Sequence, residues 1–145
     1  MTDGAQIRPV TSRQIEAIVK FLPVLDAIAP EEIAHTVRTP EGVMVLGCVD
    51  YHAEVREFVK TCYENGFVQQ FDWPEWAPTA RRYMRDPKLV ASARISTCIK
   101  LITAHIRCEL FCDCHLQTVL ASGHICAILR RLKQLLPEQL VGTET

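Results

Sequence analysis

Ile95-Ser96-Thr97-Cys98-Ile99-Lys100-Leu101-Ile102-Thr103-Ala104-His105-Ile106-Arg107-Cys108-Glu109-Leu110 is the stretch that decides the fold. Ile95, Ile99, Ile102, Ile106 and Leu110 recur in steps of four, three, four and four. Cys98, Leu101, His105, Cys108 and Cys112 make a second stripe beside the first. At about 100° per residue the two stripes merge into an apolar arc wider than half the helix circumference. Lys100, Thr103 and Arg107 occupy the remaining face. Such a helix belongs in the middle of a bundle. Asp86-Pro87 gives its start, a cap followed by Pro at the first helical position, so one long central helix is expected near 87–110. Glu109 breaks the arc, and a buried carboxylate needs a partner or a raised pKa. Either the helix ends near residue 109, or Glu109 meets a cation inside.

Outward from this segment the chain divides into further helices. Asp113 is placed to cap a helix over 114–121. Ser122 is placed to cap a last one, with Ile125, Leu129, Leu132 and Leu136 inward and Pro137 as its stop. On the other side, Phe71-Asp72-Trp73-Pro74-Glu75-Trp76 carries a cap, a box partner three positions later and the Phe71/Trp76 spacing of a hydrophobic staple. Asp50 opens a helix to about Glu64, and Asn65-Gly66 is a left-handed stop. Thr11-x-x-Gln14 has the form of a capping box. Val43-Met44-Val45-Leu46 could be a strand, but no second run offers a clear partner, so a loop packed on the core is expected over 36–49.

The 145 residues suit one domain, and 48% apolar content excludes a disordered chain. The fold expected is all-α: a compact single-domain bundle of about five or six helices over 1–145, frayed over 1–10 and 138–145. A net charge of −1 leaves no bulk electrostatic pull toward nucleic acid. No apolar run approaches the roughly 18 residues that span a bilayer, so no membrane partner is expected. Met1-Thr2-Asp3-Gly4-Ala5-Gln6 has no signal-peptide pattern, and seven cysteines form an odd count. Both favour a cytoplasmic protein with reduced thiols.

From Phe71 to Leu132 the chain resembles a bacterial family of uncharacterised proteins, a domain of unknown function. Phe71-Asp72-Trp73 and Trp76 carry the first part of the likeness, and Leu101-Ile102-Thr103 the second. Arg107 through Leu116 follow, then Gly123 and Leu129-Arg130-Arg131-Leu132. Two positions depart from the family pattern: Leu110 stands where it has Arg, and Cys114 where it has Gly. The resemblance implies the architecture and no reaction.

Four constellations hold the chemistry-bearing side chains. His105, Cys108, Cys112, Cys114, His115, His124 and Cys126 cluster in sequence. Along one helix, His105 to His115 would span about 15 Å, too far for one metal. No metal is therefore favoured and no cofactor is expected. The alternative, zinc, would draw on Cys108, Cys112, His124 and Cys126. Cys112 or Cys114 beside His115 has the residue types of a thiol enzyme, without an oxyanion-hole motif. Asp72, Arg107, Glu109, Asp113 and His115 could form a polar network or, as an alternative, a small-ligand site using Arg107, Asp113 and His115. Arg81, Arg82 and Arg85 with Lys88 make one basic patch, and Arg130, Arg131 and Lys133 another. The helix that begins at Gly123 is too apolar to read bases, so no sequence-specific DNA readout is expected.

Binding is thus favoured over catalysis. The expected role is a small non-catalytic interaction module for a protein or nucleoprotein partner, of a size that suits a mobile-element accessory or inhibitor protein. The binding residues would be Asp72, Trp73, Trp76, Arg81, Arg82, Arg85, Arg107, Asp113 and His115, because Trp and Arg are enriched at binding hot spots.

Overall fold

The computed structural model describes residues 7–42, 44–112 and 114–144, with side chains described outside 36–38, 44–49 and 137–144. It is a helical domain with one small hairpin. Helices α1 (Ser12–Val19) and α2 (Leu22–Asp26) lead through a 3-10 turn at Pro30–Glu32 into strands β1 (Ala34–Arg38) and β2 (Met44–Tyr51). Helices α3 (Ala53–Glu64), α4 (Trp73–Arg85), α5 (Pro87–Ala91), α6 (Ile95–Cys108), α7 (His115–Ala121) and α8 (His124–Glu144) follow.

The caps written in the sequence form. Thr11 and Gln14 make the reciprocal box at α1. Asp72 Oδ1 accepts from the Glu75 N–H at 3.3 Å, and the rings of Phe71 and Trp76 meet edge to face at 5.9 Å. Asp86 caps α5 through the Lys88 N–H. Gly66, at φ 78°, ends α3 in the left-handed conformation that costs glycine nothing, and the Phe67 N–H reaches back to the Cys62 carbonyl. Ser122 Oγ accepts from the His124 N–H at the start of α8.

Four expectations need correction. First, 36–49 is no loop: Ala34–Arg38 and Met44–Tyr51 pair antiparallel, with a register shift between Thr36 and Arg38. Thr39-Pro40-Glu41-Gly42 is the turn, closed by the Gly42 N–H on the Thr39 carbonyl with Gly42 at φ 86°. β1 carries no apolar run of its own, because it is only five residues long and partly polar. Second, α3 begins at Ala53 with His52 as its cap, because Asp50 is still in β2 and holds Arg56 at 2.7 Å.

Third, the long helix is broken. α5 ends at Ala91, and α6 starts afresh at Ile95 with Arg94 extended as its cap. Arg131 of α8 steadies the break by donating Nε–H to the Ala93 carbonyl at 2.8 Å. The face of α6 that carries Thr103 is itself covered. Thr103 is fully buried: its hydroxyl donates to the Phe67 carbonyl and accepts from the Gln69 N–H. The 66–71 segment thus crosses over α6, and burial runs unbroken from Leu101 to Ile106.

Ile99, Leu101 and Ile102 of α6 meet Ile125, Ile128, Leu129 and Leu132 of α8 in one core, with Ile15, Ile18, Phe58 and Phe67. α8 packs against α1, α2, α5, α6 and α7, so it shares the centre with α6. Fourth, α8 runs through Pro137 to Glu144 rather than stopping at Pro137. Among the described residues no helix is long and apolar enough to cross a membrane.

Candidate functional site

Glu109 settles its own question by ending α6. It is the C-cap, and its Oε1 accepts two hydrogen bonds. One comes from the Tyr51 hydroxyl at 2.9 Å, the other from the Leu116 N–H at 2.8 Å. Tyr51 Oη in turn accepts from the Gln117 N–H at 3.2 Å. Two free amides at the start of α7 are therefore satisfied by a carboxylate and a phenol brought in from α6 and β2. Burial, with Glu109 beside it, raises the Tyr51 pKa well above its ordinary value, so the phenol remains a donor.

Above this junction lies a groove of about 320 Å³ between α3, the end of α6 and α7. Val55, Val59, Ile106 and Leu116 give it an apolar floor, and Tyr51, Tyr63, Arg56 and Glu109 give it a polar edge. Arg107 lies over the Tyr63 ring at 5.9 Å. Beside the groove the chain turns outward. Leu110 is 66% exposed and Phe111 76%, the two most exposed large apolar side chains among the described residues. Trp73, at the start of α4, lies against Phe111 with ring centroids 5.8 Å apart. Leu110 therefore does not belong to the apolar arc of α6, because the helix has already ended at Cys108.

The histidines form a separate cluster. His105 Nδ1 and His115 Nε2 share a hydrogen bond at 3.0 Å, and the His124 ring stands edge-on to His105 at 5.0 Å. Burial, with the other two imidazoles near, lowers the His105 pKa to about 3. Burial alone lowers His124 to about 4, and His115 is also lowered by burial, against the pull of Glu109. All three are neutral at pH 7. The Nε2 atoms of His105 and His124 are buried without a partner among the described residues. Among those residues, no three His, Cys, Asp or Glu side chains converge as a metal needs. The zinc alternatives are spread out: Cys108 and Cys112 at the outer end of α6, His124 and Cys126 on α8.

The expected site residues thus separate. Trp73 is half-buried against the core and meets the exposed patch through the Phe111 ring. Trp76 is half-buried, stacked on Tyr83 at 6.2 Å with Lys100 over its ring, so it serves packing. Asp72 is spent as a cap. Arg81, Arg82 and Arg85 lie exposed on α4, whereas Arg130 is engaged with Asp26 and Arg131 with Ala93. His115 turns to His105, away from Arg107 over Tyr63. Asp113 lies outside the described residues. Tyr51, Glu109, Leu110 and Phe111 are what the sequence hides as a site. The signal available was the carboxylate at 109 interrupting an apolar stripe.

Fold and site together define a small helical domain with an exposed apolar turn beside a surface groove. The chain belongs to a family of unknown function, DUF6508, which it matches over residues 10–138. No curated protein and no solved structure matches it.

Proposed function

We propose that the chain is a small non-catalytic interaction module that docks a protein partner through Trp73, Leu110, Phe111 and the adjoining groove. The observation that carries this reading is the exposure of Leu110 and Phe111. An exposed apolar patch beside a groove, with polar residues at its edge, marks an interaction surface in a soluble domain. Packing gives no reason for two adjacent large side chains to stand in solvent at a helix end. Trp73 adds an aromatic anchor, and the Glu109–Tyr51–α7 junction holds the turn in place, so little ordering is needed on binding.

Charge suggests the partner's character. Arg81 lies close enough to Cys108 to act on its thiol, and Arg107 lies over Tyr63 at the edge of the groove, so two cations flank the turn. An amphipathic partner segment with an apolar side chain in the groove and acidic groups toward these arginines fits the surface. The family resemblance supports the same place. Its Arg-x-x-x-Phe run falls on Arg107 and Phe111, and its Gly falls on Cys114, which adopts φ 64°.

The test is capture from a native lysate by the immobilised wild-type chain and by a Leu110→Ser/Phe111→Ser variant. A partner held by the wild type and lost by the variant, with unchanged melting temperature, is the expected result. Equal capture by both removes this surface from the account.

A further inference from the structure

The turn that presents Leu110 and Phe111 begins and ends on a thiol. Cys108 closes α6, and Cys112 lies one helical turn later, its N–H donating to the Cys108 carbonyl at 2.9 Å. The Phe111 N–H reaches the same carbonyl at 3.0 Å, so the helical path continues loosely past the last regular residue. One α-turn separates the Cα atoms of residues i and i+4 by about 6.2 Å. Disulfides form across Cα separations of roughly 4.4–6.8 Å. Residues one turn apart share a helix face with Cβ atoms about 5–6 Å apart, so reaching the roughly 3.5–4.5 Å of a disulfide requires this loosened turn to tighten. Cys112 is exposed and Cys108 partly so, whereas Cys62, Cys98 and Cys126 are buried. Oxidant therefore reaches this pair while the interior thiols are shielded.

We propose that Cys108 and Cys112 form a thiol-modification site, a dithiol that a peroxide oxidises to a disulfide across the end of α6. The exposed Cys112 thiolate attacks a peroxide oxygen and the O–O bond breaks. With hydrogen peroxide this leaves Cys112 as the sulfenic acid and releases water. Burial, with Cys112 beside it, holds the Cys108 thiol up at about 11, so Cys108 attacks the Cys112 sulfur as its S–H proton passes to the departing sulfenic hydroxyl, forming the S–S bond and releasing a second water. The two thiols lose two electrons and two protons, and the peroxide is reduced to two waters. Closure draws residues 108 and 112 together and re-aims Leu110 and Phe111 between them. The chemistry is independent of whether a partner docks there.

The experiment treats the reduced full-length chain with a small excess of hydrogen peroxide and maps the peptides by mass. A Cys108–Cys112 link, lighter by two hydrogens and reversed by dithiothreitol, is expected, with Cys62 and Cys98 unmodified. Cys112→Ser should abolish the link, and Cys114→Ser should leave it intact. A Cys112–Cys114 link, or Cys112 oxidised to sulfinic acid with Cys108 still a free thiol, overturns the proposal. Mapping of the wild-type chain alone decides the matter if a variant fails to fold.

Discussion

Cysteine and histidine occur both in the interior around α6 and α8 and in the turn that follows α6, and the two regions use them differently. Cys98 is wholly buried next to Ile99 and Ile102, where it acts as a small apolar side chain. Burial pushes its pKa up to about 12, so it carries no thiolate at neutral pH. Cys112, only one turn past the end of the same helix, is exposed. His105 is buried and neutral, while Glu109 four residues on and Tyr51 from β2 tie the free amides of α7 to the turn. Residue type alone does not separate filling from site. Where the helix stops does, because Glu109 ends α6 before the apolar stripe is finished.

That contrast predicts a graded set of effects. The largest is in the interior. Ile102 is wholly buried, so Ile102→Ala leaves a cavity and should cost about 3–4 kcal/mol in urea unfolding. A loss below about 1 kcal/mol would place the centre of the core elsewhere.

Acid should act comparably, with its loss divided between two buried imidazoles. His105 and His124 fall to about 3 and about 4 in the folded chain, below the ordinary value of about 6.5. The unfolded chain therefore binds more protons between pH 6.5 and 4, and stability is lost as the pH falls through that window. The loss should reach about 2 kcal/mol per imidazole by pH 4.5. Thermal melts at pH 7 and 4.5 read it, and His124→Gln should remove roughly half of the difference, His105 keeping the rest.

At the boundary between the regions, Tyr51→Phe removes the donor to Glu109 and the acceptor for the Gln117 N–H. A cost of about 1–2 kcal/mol is expected, with faster hydrogen exchange confined to the start of α7. The smallest effect has the opposite sign. Cys114 sits at φ 64°, where a Cβ is strained. Cys114→Gly should raise stability by about 0.5–1 kcal/mol, because the relief of strain exceeds glycine's extra unfolded-state entropy. A loss on that substitution would mean that the Cys114 side chain contributes packing.

Much of the fold was legible in the sequence because caps and periodicity are local signals. Thr11, Asp72 and Asp86 announce helix starts by their own side chains, and Gly66 announces an end. The hairpin was not legible, since β1 is defined only by its pairing with β2 across the Pro40–Gly42 turn. The break between α5 and α6 was hidden too, because apolar spacing continues across it and the Arg131 contact that steadies it comes from α8. What Thr103 meets on the remaining face of α6 was not legible either, because its partners are backbone groups of the 66–71 segment. The site was the least legible part. Trp73 was visible as an aromatic, but the exposure of Leu110 and Phe111 depends on the helix ending at Cys108.

The most direct test is site-resolved alkylation of the reduced native chain, followed peptide by peptide. Cys112 should label within minutes, and Cys62 and Cys98 only as fast as the whole chain unfolds. Labelling of Cys98 at the rate of Cys112, or protection of Cys112 in the native chain, would contradict the division between a filled interior and an open turn.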